Sequence, residues 1–238
     1  MFQDKVVIVT GGARGIGKVI SQSFRDEGAH VCVMDKLPND YFVGDLAEEQ
    51  ALRDFTAKVI RQYGRVDFIV NNAALSLGGI ENCSWDDFNY VLRTGVTAPF
   101  MLSKLLEEHF TEGAAIVNIS STRDRMSQPN TESYTAAKGG ISALTHALAA
   151  SLAGRVRVNA VSPGWIDTED NEWEEADKAQ HPAGRLGNPR DIASMVLFLC
   201  SDKAGFITGE NITVDGGMTK LMVYHDDHGW RFTGKLGE

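Results

Sequence analysis

Apolar and polar positions follow two rhythms along this chain. Short runs rich in β-branched residues, Lys5 to Thr10, His30 to Met34 and Ala115 to Ile119, show little polar alternation. That is the pattern of parallel strands covered on both faces. After the first run the apolar positions recur at helical spacing, as at Val19, Ile20 and Phe24. The alternation of strand-like and helix-like runs continues along the chain and predicts an α/β fold, a doubly wound parallel sheet with helices on both faces. With 238 residues and no repeat, low-complexity tract or Pro-rich linker, the sequence reads as one domain over 1–238. Residues from about 219 to 238 read as a C-terminal extension of it.

The first predicted strand runs directly into Thr10-Gly11-Gly12-Ala13-Arg14-Gly15-Ile16-Gly17, and a helix follows. Strand, glycine turn and helix in that order form a Rossmann-type dinucleotide fingerprint. Gly11 permits the tight turn, Gly15 lets the backbone approach a phosphate, and Gly17 lets the helix pack on the strand. The helix N-terminus offers unpaired N–H groups and a partial positive charge to a pyrophosphate. The second strand ends in Asp35, about twenty positions beyond the turn, where a carboxylate accepts hydrogen bonds from the adenosine ribose. The same carboxylate repels a 2′-phosphate, which favours NAD over NADP, while Arg14 and Lys36 are placed to flank that phosphate and soften the preference. Asp45, at the expected end of a third strand, is placed to touch the adenine edge or to cap a helix beginning near Glu48.

Tyr134 and Lys138 stand four positions apart, so on a helix they share a face. A free tyrosine titrates at about 10. An ammonium beside it favours the phenolate and brings Tyr134 toward the range of a general acid-base. Ser120 and Ser121 follow the apolar strand ending at Ile119 and supply a hydroxyl for a substrate oxygen.

Taken in order, these motifs resemble the short-chain dehydrogenase/reductase family from Lys5 to about Met218. The resemblance rests on Thr10 to Gly17, Asn71-Asn72-Ala73-Ala74, Ser121, Tyr134 to Lys138, Pro163-Gly164-Trp165-Ile166-Asp167-Thr168 and Val214-Asp215-Gly216-Gly217. It implies that Ser121, rather than Ser120, is the catalytic serine and that Tyr134 is the general acid-base. Lys138 would lower the tyrosine pKa and bond the nicotinamide ribose. Asn72 and Ala73 would line the adenosine ribose and the nicotinamide approach. Ile166 and Thr168 would secure the carboxamide for transfer of the pro-S hydride. Gly11, Arg14, Gly15, Ile16, Gly17, Asp35, Asp45, Leu46, Pro163 and Gly164 complete the implied cofactor site.

The pattern departs from the family at Gly95, where an asparagine normally holds a water that links the lysine to solvent. Glycine there is expected to alter proton exit without abolishing hydride transfer. Ala74 in place of a glycine is a milder change. The resemblance also implies a homodimer or homotetramer built through helices from about Ala98 to Phe110 and from about Ser133 to Leu152. Beyond Gly217 the chain continues past the usual end of its relatives, and Met222, Tyr224 and Trp230 are expected to pack across a subunit boundary.

A net charge of −9 argues against nucleic acid and anionic membrane surfaces as partners. No apolar stretch approaches the roughly 20 residues that span a bilayer, and a cytoplasmic location is expected. Cys32, Cys83 and Cys200 read as reduced core thiols. The stretch His225-Asp226-Asp227-His228 is too contiguous to converge on one ion, so no metal is expected. The segment from Glu169 to Asp177 is strongly acidic and falls where relatives carry a substrate lid. Such a lid would repel an anionic carrier, while Arg123 and Arg125 either hold a substrate carboxylate or pair with Asp124 and nearby acids. Trp165 and Trp173 either stack on a substrate ring or simply pack.

The sequence therefore predicts an oxidoreductase that interconverts a small secondary alcohol and a ketone with NAD, NADP being the lesser choice. Two alternatives remain: a weakly catalytic dinucleotide-binding sensor or scaffold, and an NADPH-dependent 3-ketoacyl reductase.

Overall fold

The β-branched runs form strands and the amphipathic runs close over them. The structure, a computed structural model, describes residues 1–224, 226–229 and 231. His225, in the stretch where no metal is expected, and Trp230, expected to pack across a subunit boundary, lie outside the described residues. In chain order the strands are β1 (Val6–Thr10), β2 (His30–Asp35), β3 (Phe42–Val43), β4 (Val66–Asn71), β5 (Phe110–Ile119), β6 (Val156–Pro163) and β7 (Asn211–Val214). The α-helices are α1 (Gly15–Asp26), α2 (Glu49–Tyr63), α3 (Trp85–Leu92), α4 (Ala98–Leu105), α5 (Glu132–Ser151), α6 (Glu175–Ala179) and α7 (Pro189–Cys200).

All strand pairs are parallel, and the seven-stranded sheet has the order β3-β2-β1-β4-β5-β6-β7. The period of two distributes each strand between two cores. Val6 and Ile8 join Phe55, Leu102 and Leu148 on the face covered by α2, α4 and α5. Val7 and Val9 join Phe24, Ile192 and Leu199 on the face covered by α1 and α7. Among the described residues, no helix is long and apolar enough to cross a membrane.

The order reverses between β1 and β4, which opens a crevice at their carboxyl ends. Thr10 and Asn71 are register partners there. The Thr10 hydroxyl closes the floor of the crevice by accepting from the backbone N–H groups of Asn72 (3.1 Å) and Ala73 (3.2 Å).

The helix expected from Ala98 to Phe110 is shorter than its sequence suggests. It ends at Leu105, a 3₁₀ turn spans Glu107–His109, and Phe110 already opens β5. At its front it joins α3 through a π-helical turn, Arg93–Thr97, which contains Gly95. The second long helix lies one position from its expected bounds. Met222 and Tyr224 are exposed. Cys32 and Cys200 are buried thiols, whose burial pushes their pKa values up to about 11 and about 12. Cys83 is only partly covered, because it stands in the loop before α3 rather than in a core.

Candidate active site

Most of the residues singled out from sequence gather along the carboxyl edge of the sheet. The glycine turn leaves β1 with Gly11 at φ +65°, where a Cβ would stand 2.8 Å from Ala73 Cα. A Cβ on Gly17 would lie 2.2 Å from the Gly11 carbonyl oxygen, so only glycine lets α1 sit this close to the turn. Gly15, at φ +54°, is open by contrast: its absent Cβ would meet only Thr168, at 3.6 Å. The α1 N-cap, Arg14, makes no capping bond and the first turn carries no acidic residue. Unpaired N–H groups and the positive end of the helix thus face an open approach, which fits a dinucleotide pyrophosphate.

Asp35 turns back over this loop. One carboxylate oxygen accepts from Ala13 N–H (3.0 Å) and the other from Leu37 N–H (2.9 Å). Ile16 packs partly into the α1/α7 core, and Leu46 is buried in the other core, which leaves its backbone for any ligand contact. Asn72 does not extend its amide into the crevice. Its Nδ2 donates to the carbonyls of Thr10 (3.1 Å) and Gly11 (3.0 Å), which makes it a clamp on the glycine turn.

Asp45 is not the cap of α2. The N-cap is Glu48, without a side-chain bond, while Asp45 accepts from Ala47 N–H and from the Tyr90 hydroxyl and lies 3.1 Å from Lys36 Nζ. Burial pushes its carboxyl upward, but these hydrogen bonds outweigh burial and hold it below its usual range.

At the end of β5 the two serines part. Ser120 faces inward, bonding the Lys138 carbonyl (3.0 Å) and the Ser142 hydroxyl (2.8 Å). Ser121 turns to Tyr134: the two share a hydrogen bond that favours the phenolate, and Arg123 N–H donates to the Ser121 hydroxyl at 3.2 Å. Lys138 is buried, with its Nζ 5.4 Å from the centre of the Tyr134 ring and donating to the Ile119 carbonyl at 2.7 Å. Behind it, Asn71 donates to Asn118 (2.8 Å), and Asn118 donates to Thr145 on α5 (2.9 Å).

The electrostatics differ from the sequence expectation. Burial is the largest influence on Tyr134 and raises its pKa above 10, against the Ser121 hydrogen bond and the charge of Arg123, which lower it. Lys138 stands beside the ring with its Nζ 5.4 Å from the ring centre. The lysine is itself desolvated, which brings its own pKa down to about 8. Arg123 donates to Gln128, and its charge acts on the Tyr134 phenol. Arg125 takes the plainer of its two readings and pairs with Asp124 at 3.2 Å.

Gly95 has a steric role. A Cβ there would stand 3.1 Å from Ala137 Cβ, the residue beside Lys138 on α5. The asparagine that the family resemblance implies at this position would therefore have little room against this helix.

Beyond β6, Pro163 closes the strand and Gly164 N–H donates to the Val214 carbonyl at 3.0 Å. A Cβ on Gly164 would meet Asp215 at 2.6 Å. Ile166 bridges to Gly187, and Thr168 reaches the glycine turn. Asp167 gathers the segment that follows, accepting from Glu169 N–H (3.0 Å), Asn171 N–H (2.7 Å) and the Trp173 indole (2.9 Å). These bonds hold its carboxyl below the usual range. Trp173 packs edge-on against Trp165 at 4.7 Å, the packing alternative for that pair. Part of the acidic segment holds its own structure: Glu174 and Asp177 form a capping box on α6, and Glu175 pairs with Lys178. Two open grooves, of about 640 and 780 Å³, share Thr168 and Pro189 on their rims. The larger follows Ala13, Arg14, Gly15 and Lys18; Ser121, Tyr134 and Lys138 line neither groove.

Known proteins share this fold and much of this sequence. The family model described as enoyl-(acyl carrier protein) reductase matches residues 11–219. An uncharacterised oxidoreductase of Thermotoga maritima is 40% identical over 258 aligned positions, covering 95% of this chain and 100% of that one. The chain belongs to the short-chain dehydrogenase/reductase family.

A solved apo SCOR enzyme from Clostridium thermocellum superposes on it with a TM-score of 0.91 at 41% identity, covering 98% of this chain and 99% of the other. The 3-oxoacyl-(acyl-carrier-protein) reductase FabG of Thermotoga maritima is 32% identical, covering 91% of this chain and 98% of that one. Against the family pattern, one residue has no signal in the sequence. Tyr90 reaches Asp45 and Lys36 from α3 and stands in no recognisable motif.

Proposed function

We propose that this oxidoreductase interconverts a secondary alcohol and a ketone in a small polar or cyclic substrate, using NAD. The observation that carries the reading is the meeting of Ser121, Tyr134 and Lys138 at the ends of β5 and α5, beside the crevice where the sheet order reverses. The open helix N-terminus at Gly15 would hold the pyrophosphate, with Arg14, Ile16 and Gly17 around it. Asp35 would bond the adenosine ribose, and Asp45 and Leu46 would flank the adenine. Ala73 would border the path between ribose and nicotinamide; Pro163, Gly164, Ile166 and Thr168 would seat the carboxamide. When bound, the nicotinamide supplies or accepts the hydride.

The remaining chemistry belongs to the side chains. Ser121 fixes the substrate oxygen. Tyr134, whose raised pKa keeps it a phenol at neutral pH, donates the proton to that oxygen during reduction. Lys138 holds the nicotinamide ribose and passes a proton onward. Relatives of the same fold have been solved with NADH and with NADPH. Asp35, fixed by two backbone N–H groups, supports NAD here, because a carboxylate at this position opposes a 2′-phosphate. A homodimer or homotetramer joined through α4 and α5 belongs to the same proposal.

The kinship with FabG supports a second reading, an NADPH-dependent reductase of carrier-bound 3-ketoacyl chains. Asp35 speaks against it, and so do the acids of the lid.

The test is loss of deuterium from NADH labelled separately on each face, incubated with a mixed pool of carbonyl metabolites. Loss of the pro-S label by the parent chain, with at least a hundredfold slower loss by Tyr134→Phe, is the expected result. Binding of NADH without label loss would leave a dinucleotide-binding sensor. Turnover with NADPH and a 3-ketoacyl thioester alone would select the second reading.

A further inference from the structure

Lys36 leaves β2 directly after Asp35, beside the position where the adenosine ribose of a dinucleotide is expected. A lysine there is a ready partner for a 2′-phosphate. In this structure its ammonium is already engaged. Lys36 Nζ donates to the Tyr90 hydroxyl at 2.8 Å and lies 3.1 Å from an Asp45 carboxylate oxygen. Tyr90 donates in turn to Asp45, its hydroxyl 3.1 and 3.0 Å from the two carboxylate oxygens. The ammonium also stands 5.1 Å from the centre of the Tyr90 ring.

The phenol therefore accepts from the lysine and donates to the carboxylate, closing a ring of three groups drawn from the ends of β2 and β3 and from α3. An exposed lysine–carboxylate pair alone is weak and readily exchanged for another anion. The bridging hydroxyl changes that balance, since each member of a closed network strengthens the others' bonds. The hydrogen bonds that Lys36 donates to Tyr90 and Asp45 raise its pKa, and those from Lys36 and Tyr90 help to lower that of Asp45. Asp35, meanwhile, is held over the glycine turn by Ala13 and Leu37. The negative charge is thus presented at the ribose while the adjacent positive charge is drawn away.

We propose that Tyr90, acting with Asp45, is a specificity-determining residue that keeps the Lys36 ammonium from the ribose 2′ position, so that Asp35 selects NAD over NADP. Arg14 remains exposed, without a side-chain hydrogen bond among the described residues, and is common to both cofactors' approach. The inference rests on the dinucleotide reading of the site and adds to it the residues that set the preference.

The experiment is a set of dissociation constants for NADH and NADPH, measured by calorimetry on the full chain. The variants are Tyr90→Phe, Tyr90→Phe with Asp45→Asn, and each of these and the parent with Lys36→Met. Asparagine keeps an acceptor for the Ala47 N–H, and NADH affinity reports whether the site remains folded. The parent should prefer NADH, and Lys36→Met alone should leave NADPH affinity within twofold of the parent. The double variant should shift the NADPH-to-NADH affinity ratio about tenfold toward NADPH, the effect of one charge-assisted contact. Lys36→Met in that background should cancel the gain.

A parent chain that prefers NADPH would overturn the proposal. So would a Lys36→Met loss of NADPH affinity in the parent, or a ratio unmoved in the double variant, either of which leaves the dinucleotide reading intact. A parent that binds neither dinucleotide would remove that reading and this inference together.

Discussion

Lys138 carries a conflict between stability and chemistry that belongs to a single side chain. Its ammonium is buried with one hydrogen bond, to the Ile119 carbonyl at 2.7 Å, and burial lowers its pKa from 10.5 to about 8. The folded value lies below the unfolded one, so between those pH values the unfolded chain binds more protons and stability rises with pH. Below about pH 8 the full penalty of burying the charge is present. Lys138→Met removes that penalty and leaves one carbonyl unpaired, so it should stabilise the fold at pH 7 by roughly 1–3 kcal/mol. The gain should shrink as pH climbs toward 10.5, while turnover is lost. Urea melts at pH 7, 8.5 and 10 check this; a gain that does not vary with pH would show that burial of the charge is not its source. Sequence spacing placed Tyr134 and Lys138 on one face, and the structure keeps them there. Spacing has no information on solvent, however, and it is burial that raises the tyrosine and lowers the lysine.

At the scale of elements, the junction between α3 and α4 is where local sequence and packing diverge. Arg93–Thr97 winds as a π turn, and a Cβ on Gly95 within it would stand 3.1 Å from Ala137 Cβ on α5. Such turns often lie at functional positions in helices, and this one abuts the residue next to Lys138. Gly95→Asn, the obvious return to the family residue, should therefore destabilise by about 1–3 kcal/mol through overpacking and should not raise kcat. Gly95→Ala should show a smaller loss, and Ala137→Gly in the same chain should recover part of it, giving a favourable coupling in denaturant melts. Additive losses would place the strain elsewhere. From sequence alone Gly95 looked like a missing proton-relay residue, because a motif comparison registers the absent side chain and not the helix standing in its place. The same limit explains the early end of α4. The run Ala98 to Phe110 is compatible with a helix throughout, but Phe110 pairs with Val66 at the start of β5 and the sheet takes precedence.

For the whole molecule, the two edges of the sheet have separate duties. The carboxyl edge carries the candidate site, while the amino edge is tied together by Asp67 on β4. Its side chain is almost fully buried and accepts from Lys5 Nζ (2.9 Å), Val6 N–H (2.9 Å) and the Thr111 hydroxyl (3.0 Å), which joins β1, β4 and β5. Burial alone would raise its pKa, yet these bonds prevail and lower it. Its contribution is present above the unfolded carboxylate pKa and is lost as pH falls through the folded value. Asp67→Asn should cost about 2–4 kcal/mol at pH 7 and flatten the acid limb of stability, with NADH affinity unchanged. A weakened NADH affinity at full stability would refute this division of duties. Much of the architecture was already determined by the sequence: the parallel α/β sheet, the glycine turn at Gly11, Gly15 and Gly17, and the helical pairing of Tyr134 with Lys138. Those features follow from side-chain period and backbone sterics, which act over a few residues. Tertiary structure alone decided which charges meet. Lys36 finds Tyr90 across 54 positions of chain, Asp45 gives up the helix cap for that pair, and Asn72 turns from the crevice to clamp the glycine loop. Electrostatic and hydrogen-bond partners depend on distance in space and on exclusion of water, and neither quantity is written in the spacing of residues along the chain.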